Sequence, residues 1–189
     1  MDKPLKKDFS KKLRFFANAL TVSRALAGLP IAIALSFDQL AIAWLFILLA
    51  GLSDLLDGWI ARKADGGNKF GAFLDPLSDK ILILAPLIWL GSANALPIWA
   101  IWLLLTRELV VSSWRSHAPG GGPASFAGKS KTTLQYLSIL LMLWPNSWEQ
   151  FTNWIPIKEI GFWLFWPSLV LAYTSGFKYF KPQSDNRPS

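Results

Sequence analysis

The sequence contains six apolar runs, each long enough to cross a lipid bilayer as an α-helix. A hydrocarbon core roughly 30 Å thick requires about twenty predominantly apolar residues. The runs occupy residues 18–36, 39–63, 70–90, 96–116, 132–148 and 157–177. Hydrophobic residues make up 52% of the 189 positions and 11 residues are Trp, which is more than a soluble domain of this size normally needs. The pattern predicts an all-α integral membrane protein with six transmembrane helices.

The basic residues indicate how these helices are oriented. If the N-terminus is cytoplasmic, six spans place the N-terminal tail, the second-to-third loop, the fourth-to-fifth loop and the C-terminal tail on one side. Those regions and the helix ends beside them contain 18 of the 19 Lys and Arg residues, and only Lys158 belongs to the other side. The positive-inside rule therefore predicts that both termini are cytoplasmic.

The chain divides into two short ends and one helical domain. Residues 1–17 include KPLKKDFSKKLRFF, which is typical of an interfacial amphipathic helix whose lysines meet anionic headgroups of membrane lipids. The alternative is that these charges serve only to orient the chain. Residues 18–177 form the six-helix domain, and residues 178–189 form a cytoplasmic tail. We expect neither a cleaved signal peptide nor nucleic-acid binding by a basic patch at a bilayer surface.

Four aspartates lie in or beside apolar segments of residues 53–80, SDLLDGWIARKADGGNKFGAFLDPLSDK. Asp54 and Asp57 are three positions apart and Asp75 and Asp79 are four apart, so each pair shares a helix face if both segments are helical. A charge at bilayer depth costs about 2.5–3.5 kcal/mol on insertion scales, and four carboxylates also repel one another. Divalent cations remove this repulsion. Oxygen ligands in a chain without Cys favour Mg²⁺ or Mn²⁺, and four carboxylates suffice for two ions.

Other residues of the same stretch suit a phosphate ligand. Gly58 and Gly71 remove side chains where a ligand or another backbone must come close. Ala61 keeps the helix face shallow, and Arg62 offers a planar charged fork that matches phosphate oxygens. The competing interpretation is a set of solvated aspartates balanced by neighbouring Arg and Lys side chains.

Together these residues resemble the CDP-alcohol phosphatidyltransferase family. Its signature D-x2-D-G-x2-A-R-x8-G-x3-D-x3-D is matched at every position, by Asp54, Asp57, Gly58, Ala61, Arg62, Gly71, Asp75 and Asp79. The resemblance implies an integral-membrane enzyme that moves a phosphatidyl group from CDP-diacylglycerol to an alcohol and releases CMP. It implies metal binding by all four aspartates, with Asp79 also acting as general base. It further implies that Gly58, Ala61, Arg62 and Gly71 line the nucleotide site.

Three further segments resemble parts of the same family. NALTVSR at 18–24 is similar to the family's first-helix element, with Asn18, Thr21 and Arg24 at the matching places. RELVVSSWR at 107–115 and GKSKTTLQ at 128–135 are similar to segments of phosphatidylglycerophosphate synthases, whose acceptor is glycerol 3-phosphate. An acceptor phosphate requires a second cationic patch, for which the candidates are Arg107, Arg115, Lys129 and Lys131. The alternative for each of these residues is a topology signal alone.

Two alternatives concern the substrate and the functional class. The same signature serves an inositol-phosphate acceptor, or phosphatidylglycerol in cardiolipin synthesis. A divalent-cation transporter is a more remote alternative, because it does not need the glycines, alanine and arginine at these intervals. The resemblance also implies a homodimer. We expect a protein of the bacterial inner membrane whose active site faces the cytoplasm.

Overall fold

The protein is built of helices joined by turns in the part of the chain that the structure, a computed structural model, describes. Its backbone is described for residues 3–63, 69–117, 126–152 and 154–180, and its side chains for residues 19–54, 77–114, 130–152 and 154–176. The six long helices are α1 (Lys3–Ser36), α2 (Leu40–Lys63), α3 (Lys69–Ser92), α4 (Ile98–His117), α5 (Phe126–Met142) and α7 (Ile157–Phe180). Between α5 and α7 lie a 3₁₀ turn, Asn146–Trp148, and the short helix α6, Glu149–Thr152. Each predicted apolar run therefore overlaps one long helix, and the all-α class is confirmed.

One helix meets the length and hydropathy expected of a membrane span by itself. Residues Ala19–Ser36 of α1 form an 18-residue window with a mean hydropathy of 1.6. The pair Asn146–Thr152 and Ile157–Gly176 meets the same standard only as one unit bent by 103°. Leu40–Asp54 of α2 is a shorter apolar helix. Among the described residues one helix, or two with the bent pair, can span a membrane on these criteria, so the count of six spans stays a prediction.

The N-terminal segment joins the first apolar run without a break in the helix. The sequence predicts an interfacial helix over residues 1–17, and the structure describes residues 3–17 as part of α1, which is continuous over 34 residues from Lys3 to Ser36. The basic and apolar halves of α1 therefore share one axis. Whether the basic half lies on a lipid surface stays a prediction.

The α1–α2 and α3–α4 turns are closed by the same capping arrangement. After α1, Gln39 N–H donates to the Ala34 carbonyl at 2.8 Å, and Asp38 adopts φ 54°. After α3, Ala95 N–H donates to the Leu90 carbonyl at 2.9 Å, and Asn94 adopts φ 56°. Both are Schellman caps with a left-handed residue, a conformation that Asp and Asn tolerate better than most residues. Such short turns make each pair of helices antiparallel.

Small residues allow two pairs of helices to come close. A Cβ atom at Gly28 of α1 would lie 3.1 Å from Cγ2 and 3.3 Å from the carbonyl oxygen of Ile81 on α3. A Cβ atom at Gly161 of α7 would lie 2.7 Å from the backbone nitrogen of Met142 at the end of α5. Close backbone approach at small residues is the usual way in which helices associate where lipid removes the hydrophobic driving force.

Hydrogen bonds from side chains to main-chain carbonyl groups also join the helices. Within the described segments, four such bonds cross between helices: Trp44 to Leu140, Tyr136 to Ile47, Ser138 to Gly161 and Tyr173 to Leu103. A helical carbonyl oxygen has a second lone pair, so it accepts these bonds without losing its own helical hydrogen bond. The bonds link α2 to α5, α5 to α7 and α4 to α7.

Both apolar and charged residues are buried among the described side chains. Leu87, Leu104, Leu143 and Phe165 have no exposed surface and belong to one apolar core cluster. Arg24, Arg107 and Lys131 are buried charged residues in the same described segments. Arg107 follows Leu104 by one turn of α4, so on this helix the buried charge lies directly beside the apolar core.

Candidate active site

Arg24 of α1 joins two aspartates that come from different helices. Its Nη1 atom donates to Oδ1 of Asp54 on α2 at 2.5 Å and to Oδ1 of Asp79 on α3 at 2.8 Å. One guanidinium nitrogen therefore bridges two carboxylates that are 25 positions apart in the sequence. The structure brings Arg24 of the first-helix motif together with the first and the last aspartate of the signature.

The bridge is buried on its cationic side and open on its acidic side. The Arg24 side chain is 1% exposed, whereas the side chains of Asp54 and Asp79 are 53% and 48% exposed. Thr21 precedes Arg24 by one helical turn and is buried as well. The cation thus faces the helix bundle while both carboxylates remain accessible to a ligand.

The remaining residues of the signature lie in the described helices, but their side chains fall outside the described residues. The helical backbone of α2 contains Asp57, Gly58, Ala61 and Arg62, and that of α3 contains Gly71 and Asp75. Both segments are therefore helical, which is the condition for each aspartate pair to share a face. The side chain of Asn18 also falls outside. No group of three potential metal ligands occurs among the side chains described.

The described aspartates have the chemistry that a divalent metal requires. Asp54 and Asp79 supply oxygen ligands from adjacent helices, and roughly half of each side chain is exposed. Carboxylates of this kind suit hard ions such as Mg²⁺ and Mn²⁺. The residues present therefore fit the divalent ions that the family resemblance implies.

A second charged cluster joins α4, α5 and α7. Lys131 of α5 donates to Oε1 of Glu108 on α4, and Arg107 Nη1 donates to the same oxygen at 3.0 Å. The exposed fractions of the Arg107, Glu108 and Lys131 side chains are 8%, 16% and 5%. Two cations share one carboxylate, so the cluster carries a net positive charge in a largely buried setting.

The guanidinium of Arg107 is held from α7 as well. Its Nη2 atom donates to Ser175 Oγ at 2.9 Å. A Cβ atom at Gly176 would lie 3.4 Å from Arg107 Nε, so this glycine leaves room for the guanidinium. Arg107 Nε is buried and has no hydrogen-bond partner within the described part of the protein. The Nε atom is therefore packed against Gly176 inside the bundle, and the guanidinium forms its hydrogen bonds to Glu108 and Ser175 through Nη1 and Nη2.

Two of the four residues predicted for the acceptor patch are thus in one cluster. Arg107 and Lys131 meet at Glu108, whereas the side chains of Arg115 and Lys129 lie outside the described residues. The sequence prediction missed Glu108 and Ser175. A signal for Glu108 was present, because an acid inside an apolar run requires a cationic partner. Ser175 has no such signal, since serine is common in transmembrane helices.

The two charged clusters are related through α5. Lys131 of the second cluster lies on α5, five residues before Tyr136. The Tyr136 hydroxyl donates to the Ile47 carbonyl of α2, which ties α5 to the helix that carries Asp54. Lys80, which follows Asp79 on α3, is close enough to Lys131 to influence it electrostatically. The acidic and the cationic clusters are therefore near one another in the bundle.

Comparison with protein families decides the family of the chain. The profile described as CDP-alcohol phosphatidyltransferase matches residues 14–174, which is most of the chain. The chain belongs to the CDP-alcohol phosphatidyltransferase family. The match contains both charged clusters and the complete aspartate signature, so the family resemblance noted in the sequence is confirmed.

Relatives with related names come from several bacteria. A CDP-diacylglycerol–glycerol-3-phosphate 3-phosphatidyltransferase of Bacillus subtilis is 34% identical over 145 residues, covering 75% of this chain and 72% of the relative. The enzyme of the same name from Rickettsia bellii is 30% identical over 171 residues, covering 87% and 92%. A probable phosphatidylglycerophosphate synthase of Mycobacterium tuberculosis is 42% identical over 108 residues, covering 56% and 52%.

Solved structures of a Mycobacterium tuberculosis phosphatidylinositol phosphate synthase share this fold. The apo form aligns with a TM-score of 0.62 at 20% identity and covers 96% of this chain and all of the synthase chain. The form with CDP-DAG bound aligns with a TM-score of 0.59 at 19% identity, covering 98% and 99%. At this level of identity the likeness establishes the fold of this family member and leaves its acceptor open.

Replacing Glu108 tests the second cluster. Glu108→Ala leaves two cations without their shared carboxylate, and removing one partner of a buried ion pair typically lowers the free energy of unfolding by about 3–5 kcal/mol. We expect a lower melting temperature in detergent micelles. Glu159→Ala at the exposed start of α7 is the matched control and should change stability little. Equal melting temperatures for both variants would show that Glu108 does not hold the cluster together.

Proposed function

We propose that the protein transfers the phosphatidyl group of CDP-diacylglycerol to glycerol 3-phosphate, giving phosphatidylglycerophosphate and CMP. The observation that carries the proposal is the acidic pair Asp54–Asp79 beside the cationic cluster of Arg107 and Lys131. An acidic site suits the metals that bind a diphosphate, and a cationic site suits the phosphate of the second substrate. The names of the relatives, at 30–42% identity, support the same acceptor.

The cationic cluster supports an acceptor that carries its own phosphate. Arg107 and Lys131 bring two positive charges to a site where Glu108 supplies one negative charge. A phosphate dianion there accepts charge-assisted hydrogen bonds from the guanidinium and the ammonium group. Binding the acceptor by its phosphate positions the hydroxyl for attack, which contributes to the rate by orientation. Arg115 and Lys129 complete this patch in our proposal.

The acidic site performs the proton transfer and holds the diphosphate. The acceptor hydroxyl oxygen forms a bond to the β-phosphorus of CDP-diacylglycerol while the bond from that phosphorus to CMP breaks. The hydroxyl proton passes to Asp79, whose side chain is half exposed and therefore within reach of a substrate. Two Mg²⁺ or Mn²⁺ ions, held by Asp54, Asp57, Asp75 and Asp79, would neutralise the diphosphate and stabilise the charge on CMP. Gly58, Ala61, Arg62 and Gly71 line the nucleotide site.

The proposed setting is the inner membrane of a bacterium. Six spans with cytoplasmic termini follow from the distribution of the basic residues. Both charged clusters belong to the cytoplasmic helix ends in that topology, so the reaction takes place at headgroup depth, where the diphosphate of the lipid lies. We include a homodimer in the proposal because the family resemblance implies one.

Other acceptors remain the alternatives within the family. The fold shared with a phosphatidylinositol phosphate synthase agrees with an inositol-phosphate acceptor, which would use the same cationic cluster. Phosphatidylglycerol, the acceptor for cardiolipin, also carries a phosphate. Family membership sets aside the divalent-cation transporter, because the family is one of phosphatidyltransferases.

The acceptor is tested by release of CMP from CDP-diacylglycerol. We expect the purified protein in detergent micelles to release CMP with glycerol 3-phosphate in the presence of Mg²⁺ or Mn²⁺, and to stop when a chelator removes the metal. Inositol phosphate and phosphatidylglycerol are the comparison acceptors in matched assays. Faster CMP release with inositol phosphate or phosphatidylglycerol would show that glycerol 3-phosphate is not the preferred acceptor. Full activity in the chelator would reject the metal mechanism.

The cationic cluster is tested by its effect on one substrate. Arg107→Gln and Lys131→Gln should raise the KM for glycerol 3-phosphate more than the KM for CDP-diacylglycerol. The reason is that each substitution removes a proposed contact to the phosphate of glycerol 3-phosphate and none to CDP-diacylglycerol. Lys158→Gln is the matched control, because Lys158 pairs with Glu149 at the opposite end of the bundle. Equal changes for both substrates would reduce the cluster to a structural or topological role.

The roles of two aspartates are separated by isosteric substitution. Asp79→Asn cannot accept the proton, so turnover should fall by roughly 10²–10⁴-fold while CDP-diacylglycerol still binds. Asp57→Asn removes a proposed metal ligand and should weaken the binding of metal and CDP-diacylglycerol together. Titration of CDP-diacylglycerol at fixed Mg²⁺ measures both variants. Equal loss of binding in the two variants would make Asp79 chiefly a metal ligand rather than the base.

A further inference from the structure

The bridge formed by Arg24 places a permanent positive charge between two carboxylates of the proposed metal site. A single nitrogen, Nη1, donates to Oδ1 of both Asp54 and Asp79. Two carboxylates this close to one another repel unless a cation stands between them. Arg24 supplies that cation from a third helix.

Burial makes the pairing strong. The Arg24 side chain is 1% exposed and lies within the apolar window Ala19–Ser36. An arginine buried in such a segment is stable only when it is paired, and removing its partners leaves an uncompensated charge. The two aspartates therefore stabilise Arg24 as much as Arg24 stabilises them.

The packing of α1 on α3 fixes the position of this charge. Gly28 lies one turn after Arg24 on the same face of α1, and Ile81 lies two residues after Asp79 on α3. A Cβ atom at Gly28 would lie 3.3 Å from the Ile81 carbonyl oxygen. The absence of a side chain at Gly28 thus lets α1 pack closely against α3 near Asp79. Arg24 therefore lies opposite Asp79 at a point where the two helices are in close contact.

We propose that Arg24 is a resident counter-ion of the aspartate site, which stabilises the metal-free protein and competes with divalent cations for the carboxylates. This inference rests on the proposed metal site. Arg24 attracts the two carboxylates most strongly when no metal neutralises them, so it stabilises the metal-free form more than the loaded form. By thermodynamic linkage, the same difference weakens metal binding. Arg24 is thus a positioning residue that acts through Asp54 and Asp79.

The test compares metal binding and stability in Arg24→Gln with those of the wild-type protein. Without metal, in a chelator, Arg24→Gln should melt at a lower temperature because two carboxylates lose their counter-ion. Saturating Mn²⁺ should then raise its melting temperature by more than it raises that of the wild type. The dissociation constant for Mn²⁺, measured by electron paramagnetic resonance, should fall by about fivefold or more, the lower end of typical coupling between two sites.

Two further variants serve as controls. Arg24→Lys keeps the charge and should retain a Mn²⁺ affinity close to that of the wild type. Arg107→Gln removes a buried arginine whose described partners are Glu108 and Ser175, so it should lower the melting temperature without enlarging the shift caused by Mn²⁺. A larger Mn²⁺ shift in Arg107→Gln as well would make the effect a general consequence of destabilisation and overturn the proposal.

A second substitution tests the counter-ion role without any metal. In a chelator, Arg24→Gln/Asp54→Asn should melt at a higher temperature than Arg24→Gln, because one of the two repelling carboxylates is gone. Absence of this rescue would overturn the counter-ion role. If Arg24→Gln folds only in Mn²⁺, the proposal is supported, and if it fails to fold in both conditions, the proposal is wrong.

Mn²⁺ binding by the wild type and by Arg24→Gln distinguishes an error in the proposed metal site from an error in the proposed role of Arg24. Wild-type protein that binds no Mn²⁺ overturns both the metal site and the competition. Wild-type protein that binds Mn²⁺, with equal or weaker binding by Arg24→Gln, overturns the competition alone and leaves the proposed reaction intact.

Discussion

The arrangement of the candidate active site depends on the ion pairs of Arg24 with Asp54 and Asp79. They join α1, α2 and α3 at the place where the aspartate signature begins and ends. A charge inside an apolar helix is unfavourable, and it becomes stable when helices meet so that opposite charges pair. Pairing with Arg24 therefore holds Asp54 of α2 close to Asp79 of α3. In the sequence these two aspartates are separated by the connection between the two helices.

The second cluster follows the same physical rule with the opposite net charge. Glu108 receives hydrogen bonds from Arg107 and Lys131, and Ser175 of α7 accepts one from Arg107. An acidic cluster on α1–α3 and a cationic cluster on α4, α5 and α7 thus stand side by side. In our proposal the acidic cluster binds one substrate through metals, and the cationic cluster binds the other through its own phosphate.

Most of the secondary structure could be predicted from the sequence, and its details could not. The six apolar runs indicated six long helices because a run of about twenty apolar residues has few other stable conformations. The change from the basic segment to the first apolar run falls inside one helix, since α1 is continuous from Lys3 to Ser36. Hydropathy detects the change from basic to apolar residues, but a helix does not have to end where its polarity changes. The left-handed residues Asp38 and Asn94 depend on local capping bonds that hydropathy does not describe.

Some features of the candidate site could also be predicted from the sequence, whereas others could not. The aspartate signature was evident from spacing and residue type, the first-helix motif was evident from the family resemblance, and the basic residues of the patch were candidates from their charge. The pairing of Arg24 with both aspartates, and of Glu108 with Arg107 and Lys131, was not evident. Each of these contacts except that between Arg107 and Glu108 joins residues at least 23 positions apart. A single sequence contains no record of which distant charges meet.

The sequence by itself determined the helical class and the family, because these depend on residue type and on short spacings along one helix. Only the tertiary structure decided which residues neutralise one another. Arg24, one of the 19 basic residues, becomes the partner of two aspartates because Gly28 lets α1 approach α3 closely. Arg107 and Lys131 meet at Glu108 because α4 and α5 place these residues at the same end of the bundle. Electrostatic pairing in a low-dielectric medium depends on distances of a few ångströms, and those distances exist only after the helices have packed.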